Sequence, residues 1–214
     1  MKKLISCMIT LIMAFALVLT GTVFLSSQSA NAAEDRPLSK KVSCIVFSDK
    51  SLNKIVLDKN FTYDVDKCTS SDKKVAVIKG KSSKAYLFVK KKGKAAITIY
   101  AKKDGASEYK KYKVSVKAFN YTNPFKTYKI GKKDYKSKYN KNPHYGAGAI
   151  KGKINIKAAK GWRLVRIEKM GPQDDDFIRV KNGSSVKIPQ MGEVRVTMKH
   201  KASGNVVEFS NVAM

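Results

Sequence analysis

Apolar residues in this chain come in short bursts of period two. The pattern appears at Val42, Cys44 and Val46; Ile55 and Leu57; Phe61, Tyr63 and Val65; Val75 and Val77; Ala85, Leu87 and Val89; Ala95, Ile97 and Ile99; and Tyr112, Val114 and Val116. Alternation of this kind buries one face of a strand and solvates the other. Between the bursts lie Ser48-Asp49-Lys50, Ser70-Ser71-Asp72, Lys79-Gly80-Lys81, Lys92-Gly93 and Asp104-Gly105, which are turn formers. No helical periodicity follows residue 32, so the expected fold class is all-β, and short strands at this spacing predict a β-sandwich.

The first 32 residues read differently. Lys2 and Lys3, the apolar run from Leu4 to Leu25 and the small residues Ser29-Ala30-Asn31-Ala32 have the three parts of a secretory signal with its cleavage site. Residues 1–32 are expected to be removed, with an uncleaved signal anchor as the alternative and the sole expected contact with a membrane. Cys7 lies in the apolar run without a lipobox before it, and is expected to leave with the signal. Met214 closes a C-terminus without a sorting motif, so the exported part is expected outside the membrane, secreted or associated with the cell wall.

Export makes oxidation of Cys44 and Cys68 possible. Either they pair, which the chain-entropy model values at roughly 3.5 kcal/mol for a loop of this length, or they are two free thiols serving as small apolar residues.

The segment Ser70-Ser71-Asp72-Lys73-Lys74-Val75-Ala76-Val77-Ile78, then Gly93-Lys94-Ala95-Ala96-Ile97-Thr98-Ile99-Tyr100-Ala101, then Tyr112-Lys113-Val114-Ser115-Val116 resembles the bacterial Ig-like group 2 domain. The resemblance covers about residues 41–118, with Cys68 at or beside the position that the family fills with Trp. It implies an Ig-like sandwich used for adhesion or surface display. Beyond Pro124, Gly192-Glu193-Val194-Arg195-Val196-Thr197-Met198 echoes Gly93 to Ile99, which predicts a second, divergent Ig-like sandwich. The expected organisation is a signal peptide (1–32), a first domain (33–118), a linker (119–125) and a second domain (126–214). Strands of the second are expected at 127–130, 152–157, 162–168, 177–180, 185–188, 193–199 and 206–209, with Trp162 in its core.

Charge narrows the function. The chain has 44 Lys and Arg against 16 Asp and Glu, a formal charge of +28. Residues 33–118 hold 22 basic and 9 acidic side chains and residues 119–214 hold 20 and 7, so each half carries +13. Only Arg36, Arg163, Arg166, Arg179 and Arg195 are arginines. Lysine is a hydrated point charge suited to diffuse attraction, whereas arginine recognises phosphate in a planar, bidentate way. The expected partners are anionic cell-wall polymer or host glycan, or another surface protein. Export, scarce arginine and the lack of a recognition helix argue against specific nucleic-acid binding.

The best local contact candidate is the stretch 132–148, where Lys132, Lys133, Lys136, Lys138 and Lys141 interleave with Tyr135, Tyr139 and Tyr145. Aromatic faces beside cations can stack on sugar rings while lysine attracts phosphate or sulfate. A loop whose tyrosines fold back onto the domain is the structural alternative. Asp174, Asp175 and Asp176 lack the spacing of a calcium loop and read as a turn. No motif of a hydrolase, phosphate-binding loop or zinc site occurs, and His144 and His200 are isolated. A non-catalytic binding module without cofactor is expected; a purely structural spacer or assembly subunit is the alternative.

Overall fold

The computed structural model describes residues 35–213 apart from 142 and 175, and the backbone alone for 144–147. The predicted signal, residues 1–32, and Cys7 lie outside the described residues. Eight strands precede the connection at Pro124: β1 (Lys41–Val46), β2 (Lys54–Val56), β3 (Phe61–Tyr63), β4 (Thr69–Ser70), β5 (Ala76–Lys81), β6 (Lys84–Val89), β7 (Gly93–Lys103) and β8 (Lys110–Asn120). They form a sheet ordered β1-β8-β7-β3, with β4 also on β7, and a facing sheet ordered β2-β6-β5. Strand β1 runs parallel to β8, from Lys41 opposite Ser115 to Val46 opposite Asn120. A B-E-D sheet packed on a C-F-G sheet, with the first strand laid along the last, is the immunoglobulin arrangement.

The alternation dictates the core. Ala95, Ile97, Ile99 and Ala101 of β7 point inward and are buried, facing Leu87 and Val89 of β6 within one apolar cluster. The Ser-Ser-Asp turn is held by its own side chains: Ser70 Oγ donates to the Ala76 carbonyl at 2.7 Å, and Lys74 N–H donates to Asp72 Oδ1 at 2.8 Å. Ser71 Oγ accepts from Ala96 N–H at 2.8 Å, which ties the turn to β7. Gly93 opens that strand because a Cβ there would lie 2.5 Å from Val75 Cγ2.

Nine strands follow: β9 (Phe125–Ile130), β10 (Lys133–Asp134), β11 (His144–Ala147), β12 (Ile150–Ala158), β13 (Trp162–Met170), β14 (Ile178–Val180), β15 (Ser185–Ile188), β16 (Glu193–His200) and β17 (Val206–Ala213). One sheet is β10-β9-β12-β15 and the other β11-β17-β16-β13-β14, again with a parallel pair at its edge, β11 on β17. The same Ig-like logic therefore occurs twice. Trp162 is buried as predicted, and its Nε1 donates to Thr122 Oγ1 at 2.9 Å.

The stretch expected as a linker, residues 119–125, joins two strands: β8 continues through Asn120, β9 begins at Phe125, and of the four residues between them Pro124 is buried, Tyr121 and Asn123 are half-buried and Thr122 is exposed. Tyr121 Oη donates to the Tyr139 carbonyl at 2.5 Å, while Asn123 Nδ2 donates to the Lys136 carbonyl at 2.8 Å. Residues at the end of β1 serve both cores. Ile45 and Phe47 join the second cluster, while Cys44 belongs to the first. Asn53 makes this departure from β1 possible, accepting from Phe47 N–H at 2.8 Å and donating to its carbonyl at 2.9 Å.

Candidate anionic-ligand interface

The lysine and tyrosine residues of 132–145 part company in three dimensions. Lys132, Lys133, Lys136, Lys138 and Lys141 are exposed, but Tyr135 and Tyr139 are 4% and 0% accessible and sit in the second core. They lie four residues apart around the short 3-10 turn Lys136–Tyr139, so both rings reach the same interior side. Tyr139 Oη donates to Asn211 Oδ1 at 2.6 Å, and its ring stacks on Tyr128 at 5.5 Å. Tyr145 stands on β11 opposite Asn211. The stretch therefore offers no Tyr135 or Tyr139 face for stacking, because burial of those rings outweighs their exposure on a loop.

Cys44 and Cys68 are free thiols. Cys44 is opposite Ala118 in β8, whereas Cys68 Sγ accepts from Tyr100 N–H at 3.3 Å and Tyr100 is opposite Lys111. Positions 111 and 118 of one extended strand are roughly 23 Å apart, beyond the about 7 Å that a disulfide tolerates. The thiols thus follow the buried-residue alternative. Burial pushes the Cys44 thiol up to about 12 and raises that of Cys68.

What the sheets do bring together is lysine. The outer face of β9-β12-β15 presents Lys129, Lys151, Lys153, Lys157 and Lys187, all exposed. Asp134, opposite Lys129, is the one acid in register with this face. On the first sandwich the outer face of β1-β8-β7 presents Lys41, Lys94, Lys111, Lys113 and Lys117. Four cross-strand pairs oppose like charges: Lys81 and Lys84, Lys94 and Lys117, Lys151 and Lys187, and Arg163 and Lys199. Such pairs destabilise a sheet.

Acids gather elsewhere. On the outer face of β13-β16-β17, Arg166 pairs with Glu168 at 2.8 Å and Glu208 at 3.0 Å, and Arg195 pairs with Glu193 at 3.1 Å. Arg195 also lies 3.7 Å from the Phe177 ring centroid. On the second sandwich, then, one outer face pairs its central charges and sets Arg163 against Lys199 only at its end, whereas the β9-β12-β15 face has lysine with Asp134 as the one acid in register.

Half-buried aromatic rings sit beside cations on the first sandwich, where the sequence did not single them out. Tyr100 and Tyr109 stack at 5.2 Å, with Lys67 over the first ring and Lys102 over the second. Asp174 Oδ2 accepts from Gly171 N–H at 2.6 Å, in keeping with the expected turn between β13 and β14. Among the described residues no cluster of three His, Cys, Asp or Glu could hold a metal ion, and no helix is long and apolar enough to cross a membrane.

No protein-family model and no curated protein matches this sequence. Solved structures are similar only in part. A Drosophila N-cadherin EC1-4 structure is 12% identical with a TM-score of 0.27, covering 85% of this chain and 49% of its own, so this chain spans about half of that one. Chicken VE-cadherin EC1-2 is 9% identical, TM-score 0.25, with coverage of 83% and 98%. A SusE-like surface located polysaccharide binding protein from the Bacteroides thetaiotaomicron heparin utilisation locus is 10% identical, TM-score 0.26, with coverage of 83% and 89%. Superpositions this loose carry no argument; the Ig-like assignment rests on strand order and register.

Proposed function

We propose that this protein is an exported, non-catalytic binding module that holds an anionic polymer, of the cell wall or of a host glycan, on lysine-covered sheet faces. The observation that carries this reading is the set of like-charged cross-strand pairs, above all Lys94 with Lys117 and Lys151 with Lys187. A sheet selected only for stability would alternate signs there, as the Arg166, Glu168, Arg195 and Glu208 network does on β13-β16-β17. A polyanion laid across the face removes the repulsion and releases its own counterions. Lysine, as a point charge, suits a ligand whose charges are spaced along a flexible chain.

The spacer alternative draws on a different observation, the packed junction around Phe47, Tyr121 and Trp162, which would carry a partner rigidly. Retention on immobilised heparin and on purified wall polymer, titrated with salt, separates the two. A binding module is retained saturably and released steeply as salt rises; a spacer is not retained. Nucleic acid would be held without sequence preference and released by moderate salt.

A further inference from the structure

Where the end of β9 and the turn at 181–184 meet β12, the lysine face is not flat. A hollow of about 480 Å³ opens there, lined by Lys129, Lys153, Asn155, Asn182, Gly131 and Gly183. Its floor at Gly131 is backbone, packed against Gly152 behind it: a Cβ on Gly152 would lie 2.5 Å from the Gly131 Cα. Its wall is the turn at 181–184, pinned by Asn182, which accepts from Ile156 N–H at 3.0 Å and donates to the Ile156 carbonyl at 2.8 Å. Gly183 N–H donates to the Ile154 carbonyl at 2.9 Å, and Gly131 N–H to the Lys153 carbonyl at 2.9 Å, so wall and floor are both tied to β12.

Three side chains on the rim have no such structural work. Lys129 stands opposite Asn155, and Lys153 precedes Asn155 by two residues on the same outward face. Two lysines are therefore register neighbours of one carboxamide, with Asp134 on the other side of Lys129, and a carboxamide N–H donates directionally where lysine supplies charge. The hollow is wide open to solvent, so a charged ester would sit in it with the sugar or glycerol that carries it left largely in water.

We infer that this hollow is a subsite for a single tetrahedral oxyanion, a phosphate or sulfate ester, which sets the register of the polymer on the β9-β12-β15 face. The inference rests on the polyanion reading but names one position within it. Lys151, Lys157 and Lys187 then attract the ester groups on either side without selecting among them.

The test uses the whole exported chain and two variants of equal charge change. Asn155→Asp places a carboxylate between Lys129 and Lys153; Ser115→Asp does the same on the exposed face of β8, opposite Lys41. Inorganic phosphate and inorganic sulfate are titrated at constant ionic strength against chloride, following backbone amide shifts. Saturable shifts at Gly131, Asn155 and Gly183 that vanish in Asn155→Asp and persist in Ser115→Asp are expected, and the stronger of the two anions identifies the ester. On immobilised polymer, Asn155→Asp is expected to lose about tenfold more affinity than Ser115→Asp, the scale of a charge-assisted hydrogen-bonded contact. Equal losses, or shifts that never saturate, overturn the subsite while leaving diffuse polyanion binding intact. Saturable phosphate or sulfate shifts without retention on any polymer uphold the subsite and reject the polymer.

Discussion

The Phe47 ring lies 5.1 Å from the ring of Tyr121, so a residue just past the first strand closes against the connection between the two sandwiches. Tyr121 in turn meets Trp162 at 6.3 Å, and Asn205 Nδ2 donates to the Ser43 carbonyl at 3.0 Å across the same junction. Through Phe47 the first unit contributes directly to the core of the second.

Phe47→Ala should therefore act on both sandwiches. Removing a buried aromatic ring costs about 3–5 kcal/mol, and here the loss falls on the second core and on the joint. Calorimetry should resolve one transition in the native chain and two in the variant. A variant that melts as a single, merely lower transition would show that Phe47 does not couple the units.

The two thiols should react in a fixed order. Cys44 is buried with its thiol pushed up to about 12, whereas Cys68 is half-buried. Alkylation of the folded exported protein, followed by peptide mapping, should label Cys68 first and Cys44 only on unfolding. A disulfide peptide joining the two would contradict their separation along β8.

Acid should loosen the joint through His200. Its ring packs 4.9 Å from Trp162 and 5.6 Å from Phe119, and burial holds its pKa below the ordinary 6.5. Above that value the imidazole is neutral folded and unfolded, with no effect on stability. As pH falls through 6.5 the unfolded chain takes up the proton first, so stability drops with acidity until the buried ring also protonates. Melting temperature should fall from pH 7 towards about 5, and His200→Gln should flatten that slope.

Tyrosines of the 132–145 stretch should matter to folding and its lysines should not. Tyr139→Phe removes the one hydroxyl proton shared between Asn211 Oδ1 at 2.6 Å and the Ser210 carbonyl at 3.0 Å, at a cost of about 1–3 kcal/mol for a buried acceptor left unpaired. Lys132→Ala and Lys136→Ala should stay within about 0.5 kcal/mol. Urea denaturation of the three variants checks both statements.

Lys151→Glu should move stability and binding in opposite directions. Opposite Lys187 it turns a repulsive pair into an attractive one, for about 0.2–1 kcal/mol of added stability. Polymer retention should weaken in the same variant. A gain in both, or no change in retention, would argue for the spacer.

Much of the scaffold is legible in order of residues alone. The alternation of Ala95, Ile97 and Ile99, the Ser-Ser-Asp turn and the Gly-led strand at 93 specify β7 and its approach, and the expected second-half strands at 162–168, 185–188 and 193–199 match β13, β15 and β16 closely. Strand β11 is not legible, because His144–Ala147 has no alternation and is held by parallel pairing with β17, far along the chain.

The alternation Lys151-Gly152-Lys153-Ile154-Asn155-Ile156-Lys157 is itself the trace of the candidate interface, since every second residue points to solvent. What sequence order could determine is which side chains each strand buries, because that follows from period two. Which lysine faces which, and whether a tyrosine lies inside or outside, only the tertiary structure decided: registers such as Lys94 with Lys117, and the burial of Tyr135 and Tyr139, depend on strands and cores assembled from distant parts of the chain.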